Sequence, residues 1–215
     1  MNGGPLSSAG ARLLVAASVL WALGGCASSV LPAPEAPPSQ YTLSVDGDAS
    51  VAPPSAGTAR TSLTLVVNAP RAAAGYDTPQ IAYVRRPQQI DYFAHSQWVD
   101  TPSNMLAPMM VRAIERSGAF HAVLGAPTSA TGQWRLETEL VRLQQDFSST
   151  PSQVRLTLRA ALVDAASRRV IASREFDARA TAPSDDPYGG VTAAQRAASQ
   201  VLFELSAFCA SAAKR

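Results

Sequence analysis

The sequence predicts an α+β domain, an antiparallel sheet with two helices packed on one face, held behind a secretory leader and a Pro-rich tether. Three observations carry that expectation. Residues 134–143, 154–163 and 170–178 each alternate apolar and polar side chains, the period of a strand with one wet face. Residues 106–114 and 194–209 instead space their apolar positions as one face of a helix. The elements run as strands, helix, strand meander, helix, and no internal repeat is present.

The leader comes first. Arg12 precedes an apolar run over residues 13–23, closed by Gly24 and Gly25. An apolar run of about 7–15 residues behind a cationic start is the form of a secretory signal peptide. A membrane-spanning helix needs about 20 apolar residues, more than this run supplies. Leu23-Gly24-Gly25-Cys26 resembles a lipobox. In such a motif the thiol of Cys26 takes a diacylglyceryl group as a thioether, and the chain is then cut before it. Fatty acyl chains such as palmitate would hold the protein to a membrane. The alternatives are an ordinary cleaved signal peptide or an uncleaved anchor. The division that follows is a signal peptide over 1–25, a lipidated tether over 26–40 and an α+β domain over 41–215.

The tether carries Pro32, Pro34, Pro37 and Pro38, which exclude helix and favour extended, semi-stiff backbone. Position 27 is Ala and not Asp. By the common sorting rule for lipoproteins this favours the periplasmic face of the outer membrane over the inner membrane. Without residues 1–25 the side chains carry 17 basic and 16 acidic groups, against 18 and 16 for the whole chain. That balance is no footprint for nucleic acid.

Within the domain, Tyr41, Leu43 and Val45 alternate with polar residues in a strand over 41–45, and a Gly/Pro/Ser/Ala loop follows over 46–61. Residues 63–67 are β-branched and mostly apolar, a central strand. Two short strands, 81–85 and 89–93, flank Arg86-Pro87-Gln88 as a hairpin. Thr101 is placed to cap a helix and Pro102 to open it. Leu106, Met109, Met110, Ala113 and Ile114 then share one helix face, and Gly118 ends it. Phe120 and Val123 begin the next extended piece. In the meander, Trp134, Leu136, Thr138 and Leu140 fall on one side of the first strand. Residues 165–169 form a turn with Arg168-Arg169 as a solvated tip. Residues 181–190 read as a loop. The last helix spans 191–212, with Ala194, Ala197, Ala198, Val201, Leu202, Leu205, Phe208 and Cys209 on one face.

Residues 86–106, followed by Ser117-Gly118-Ala119-Phe120, resemble the ABC-type transport auxiliary lipoprotein family. Tyr41, Leu43, Tyr92, Trp98, Pro102, Leu106, Gly118 and Phe120 stand at the matching places, and the likeness covers roughly residues 40 to 210. The resemblance implies a membrane-anchored subunit, without catalysis or cofactor, of a system that moves lipids through the bacterial envelope. Its partners would be an MCE-domain protein and an ABC permease/ATPase complex; a homo-oligomer is compatible with it. The chain has no Walker A pattern, so it would not be the ATPase. The family positions are mostly apolar and read as structural. The alternative function is a general envelope-assembly or structural lipoprotein with a different partner.

The residues offer little chemistry. His95 and His121 are the two histidines, Asp91 is the acid nearest His95, and no Gly-x-Ser-x-Gly elbow is present. Polar residues on a wet face explain them better than an active site does. No cysteine pair stands near either histidine, as a zinc site would require. Asp185-Asp186 suggests a cation less than a solvated loop. Trp98 belongs in the core more than at a ligand, and among the helix methionines Met105 has the best claim to the surface. Cys209, on an apolar helix face, is expected to be a buried, unreactive thiol. What remains is binding, at open sheet edges and loops.

Overall fold

The computed structural model describes residues 36–44 and 61–214. The leader, Cys26, most of the tether and the loop over 46–60 lie outside them. The compact unit begins at Pro38.

The sheet is built around β7 (Trp134–Asp146). Along one edge it pairs antiparallel with β8 (Gln153–Asp164), which pairs antiparallel with β9 (Val170–Thr181). This is the meander that the alternating pattern predicts. The other edge of β7 takes three strands in succession, all parallel to it. β2 (Thr64–Val67) sets Leu65 opposite Trp134. β3 (Arg71–Ala72) sets Ala72 opposite Leu140. β4 (Gln80–Val84) sets Val84 opposite Asp146. The sheet therefore forks past β7. β6 (Ala122–Gly125) lies parallel to β2; β5 (Asp91–Trp98) and then β1 (Ser39–Tyr41) lie beyond β4.

The fold is α+β with two helices on an open, mixed sheet. Antiparallel pairing holds over β7–β9 and between β4 and β5, while the second half adds the parallel pairs. An alternating pattern reports which face is buried, not which way the neighbour runs, so these pairs leave no local trace.

The long strands show where alternation breaks. Leu136, Thr138 and Leu140 are buried, then the register shifts between Leu140 and Arg142, and Leu143 and Gln145 are buried instead. One extra residue in a strand moves every later side chain to the other face. The expected strand over 134–143 therefore continues to Asp146 on the opposite phase. The hairpin is also displaced. Gln88 turns with φ +69°, and the second strand is Asp91–Trp98 in place of 89–93. β1 is Ser39–Tyr41 in place of 41–45, parallel to β5 with Tyr41 opposite Trp98. Leu43, past its end, turns into the core.

Helix α1 (Pro102–Arg116) starts as expected, with Thr101 Oγ1 accepting from the Asn104 N–H at 3.4 Å. It packs on β6, β2 and the last helix. That helix, α2 (Pro187–Ala212), packs on β8 and β9. It starts four residues before the expected 191. Asp186 caps it by accepting from the Gly189 N–H at 2.7 Å, and Pro187 takes the first position. Val201, Leu202, Leu205 and Cys209 are buried as expected, and Phe208 meets Phe176 edge-on at 5.8 Å. Leu156, Leu158, Leu162, Phe176 and Leu205 are at most 1% exposed. Each such side chain contributes about 1.5–3 kcal/mol of apolar burial.

Candidate functional site

The eight family positions are spread along β1, β5, α1 and the turn from α1 into β6. Tyr41 is half-buried, and its carbonyl accepts from the Val99 N–H at 2.8 Å. Trp98 is 3% exposed at the end of β5, and its N–H donates to the Pro79 carbonyl at 2.7 Å. The Tyr92 hydroxyl donates to the Gly75 carbonyl at 2.9 Å. Pro102 and Leu106 are buried in α1, Gly118 turns the chain out of it with φ +65°, and Phe120 is buried against Trp134 with ring centroids 6.2 Å apart. Leu43 is buried and its N–H donates to Met105 Sδ at 3.3 Å. Met105 is thus an interior residue and not the surface one expected. The helix wheel set it off the main stripe, but the chain after β1 returns to cover it.

A buried polar cluster escaped sequence reasoning. Gln145, 2% exposed, donates through Nε2 to Ser152 Oγ at 2.9 Å and to the Asp186 carbonyl at 3.3 Å. Asp185 accepts from the Ser152 N–H at 2.7 Å, and that bond holds its carboxyl below the usual carboxylate range. Asp185 and Asp186 are therefore structural: one anchors the β7–β8 turn, the other caps α2. The Asp-Pro step at 186–187 was the signal available. Among the described residues no three His, Cys, Asp or Glu side chains gather as a metal centre would need.

Of the histidines, His95 is exposed on β5 and His121 is exposed just before β6. Asp91 accepts from Gln89 Nε2 at 3.0 Å. Cys209 is wholly buried, and burial pushes its thiol up to about 12, so little thiolate forms near neutral pH.

One face of the sheet is open and carries ion pairs. On that face Arg159 bridges Glu139 at 2.9 Å and Glu175 at 3.0 Å, and Arg155 meets Asp177 at 2.8 Å. β9 pairs only with β8, which leaves one side of a twelve-residue strand unpaired among the described residues. Val170 and Ile171, at the tip where that strand begins beside Arg168 and Arg169, are exposed at 60% and 40%. No described helix is long and apolar enough to cross a membrane.

A family model described as "ABC-type transport auxiliary lipoprotein component" matches residues 41–205. No curated protein matches the sequence. The crystal structure of a Xanthomonas campestris protein of family DUF330 is similar over 82% of this chain and 97% of its own, at 25% identity and a TM-score of 0.73. A crystal structure described as that of an uncharacterized protein covers 81% of this chain and 99% of its own, at 11% identity and TM-score 0.63. A hypothetical protein from Chlamydia trachomatis covers 71% and 98%, at 9% identity and TM-score 0.50. The last two share the fold alone.

Proposed function

We propose, since this chain belongs to the ABC-type transport auxiliary lipoprotein family, that it is the non-catalytic, lipid-anchored subunit of an MCE-linked lipid transport system. The observation that carries the proposal is the family match over residues 41–205, which runs from Tyr41 at the end of β1 to Leu205 in α2. In this reading Cys26 bears the lipid, residues 1–25 are removed, and residues 26–40 hold the domain off the periplasmic face of the outer membrane. The family positions, Tyr41 to Phe120, keep β1, β5 and α1 in register and do not touch a ligand. Binding falls to surfaces, and the unpaired side of β9 supports this: its free N–H and C=O groups can accept an added strand from a partner.

The test is co-purification of tagged protein from detergent-solubilised envelopes. An MCE-domain protein and ABC subunits are expected in the eluate, and deleting both this gene and the MCE gene should impair the barrier little more than either deletion alone. Intact mass should show acylated Cys26 at the mature N-terminus. If crosslinking captures neither subunit and the two deletions add fully, the chain serves envelope structure with another partner.

A further inference from the structure

β9 is the outer strand of the meander, and no described strand pairs with its far side. A long unpaired edge invites another strand. The side chains of β9 are ordered so that a second copy of the same strand fits it. Phe176 and Ala178 are 1% exposed and face the helices, and Arg174 and Ala180 share that side by alternation. Ser173, Glu175, Asp177, Arg179 and Thr181 lie on the open face. This stretch is clear of the register shift near the start of β9.

Two copies related by a two-fold axis would pair β9 antiparallel with itself, and directly opposed residues then share a face. With the axis at Asp177, Phe176 of one copy lies opposite Ala178 of the other and Arg174 opposite Ala180, so each large side chain on the helix side meets a small one. On the open face Glu175 lies opposite Arg179, and Ser173 opposite Thr181. Arg179 has no carboxylate within ion-pair distance among the described residues, and its neighbour on β8 is Arg155, a like charge. Glu175 meets Arg159 through Oε2 at 3.0 Å, which leaves Oε1 for Arg179 of the second copy. An axis at Phe176 would set Glu175 opposite Asp177, acid on acid. An axis at Ala178 would set Arg179 opposite Asp177, whose carboxylate is already held by Arg155 and the Thr157 hydroxyl. Both of those partners stand on β8, so the Asp177 carboxylates lean away from the seam and from each other.

The layer above the sheet has room for this pairing. Arg174 does not project over the edge: its guanidinium lies 5.0 Å from the Phe176 ring centre and 3.4 Å from Glu204 of α2. Glu204 therefore marks the flank of α2 above β9. Gln200, Ala207 and Ser211 share that flank by helical spacing and are exposed. Because α2 packs on β8 and β9 alike, the two copies of the helix would stand two strand spacings apart, about 10 Å, the ordinary distance of packed helices. Ala207 and Ser211 are small enough for that approach.

We propose that β9 is the seam of a two-fold dimer, in which Ser173–Thr181 of one copy pairs antiparallel with the same segment of a second copy over about 30 Å. The inference rests on the reading that β9 accepts an added strand, and it names that strand. The pairing joins two sheets into one and sets the β1 and β6 edges at its far ends.

The experiment measures the protein mass of the whole mature chain in a non-ionic detergent by light scattering, with the detergent contribution subtracted. Two copies per particle are expected, falling to one on dilution. Arg179→Glu and Glu175→Arg each set like charges opposite one another in both halves of the seam, and each should weaken the dimer at least about tenfold. Both side chains are exposed, so folding is not at stake. The double exchange restores opposite charges and should recover most of the loss. Asp177→Cys would stand at the axis, with opposed Cα atoms about 5.5 Å apart, and should link two copies by a disulfide under mild oxidation. Ser173→Cys, about 25 Å from its mate, should not. The proposal is overturned if the particle holds one copy at about 100 μM protein, or if the single charge changes leave the dimer as it is. It is equally overturned if the double exchange recovers nothing, or if Asp177→Cys links no faster than Ser173→Cys. Capture of an MCE-domain or ABC subunit by a protein that stays single overturns the dimer and leaves the functional reading standing. A dimer that meets these tests but captures neither subunit supports the seam and counts against that reading.

Discussion

Thr138 carries its hydroxyl into the core from the middle of β7, 5% exposed and with no hydrogen-bond partner among the described residues. An unsatisfied buried hydroxyl is unfavourable by about 1–3 kcal/mol, and valine has nearly the same shape without it. Thr138→Val should therefore raise stability by about 1 kcal/mol, read as a higher urea midpoint at unchanged slope. Asp177 makes the opposite kind of contribution. Its hydrogen bond from Arg155, at 2.8 Å, and that from the Thr157 hydroxyl, at 2.6 Å, hold its carboxyl below the ordinary value of 3.8. A depressed folded pKa stabilises the fold above the unfolded pKa, and that contribution is lost as pH falls through the folded one. The urea midpoint of Asp177→Asn should then lie below the parent's near pH 7, and the gap should narrow as pH falls past the carboxyl's ordinary value of 3.8.

At the scale of the element, the start of α2 leaves no room for a side chain at its two glycines. A Cβ on Gly189 would stand 2.1 Å from the Ser184 carbonyl oxygen, and one on Gly190 would stand 2.2 Å from Gln145 Oε1. The two glycines let the first turn of the helix press against the loop before it and against the buried glutamine. Gly189→Ala should destabilise by about 1–3 kcal/mol, although alanine favours helix, because the contact is with backbone that cannot swing aside. Thermal unfolding would measure it, and an unchanged or higher Tm would mean that the loop gives way. The same packing explains why the helix start was misplaced from sequence. Gly-Gly after Asp-Pro reads as loop when only propensity is weighed, and close approach of another segment is what makes glycine fit there.

For the whole molecule, β7 is the shared strand of both halves of the sheet, bonded to β8 along one edge and to β2, β3 and β4 along the other. Strands paired on both sides and covered by helices open only with global unfolding, whereas short edge strands fray. Hydrogen exchange should find the slowest amides in β7 and β8 and the fastest strand amides in β1, which has three residues and one neighbouring strand among the described residues. Equal protection in β1 would mean that residues 39–41 are held by contacts beyond their pairing with β5.

Whatever depends on neighbours along the chain is legible in the order of the amino acids. The phase of β8, the capped start of α1, the buried face of α2 and the α+β order all follow from period and from capping residues, which act within a turn or a strand. The resemblance to the auxiliary lipoprotein family rested on the same local runs. Tertiary structure alone decided what depends on residues far apart: the parallel pairing of β2, β3 and β4 on β7, the phase change after Leu140, and the burial of Met105 under the chain after β1.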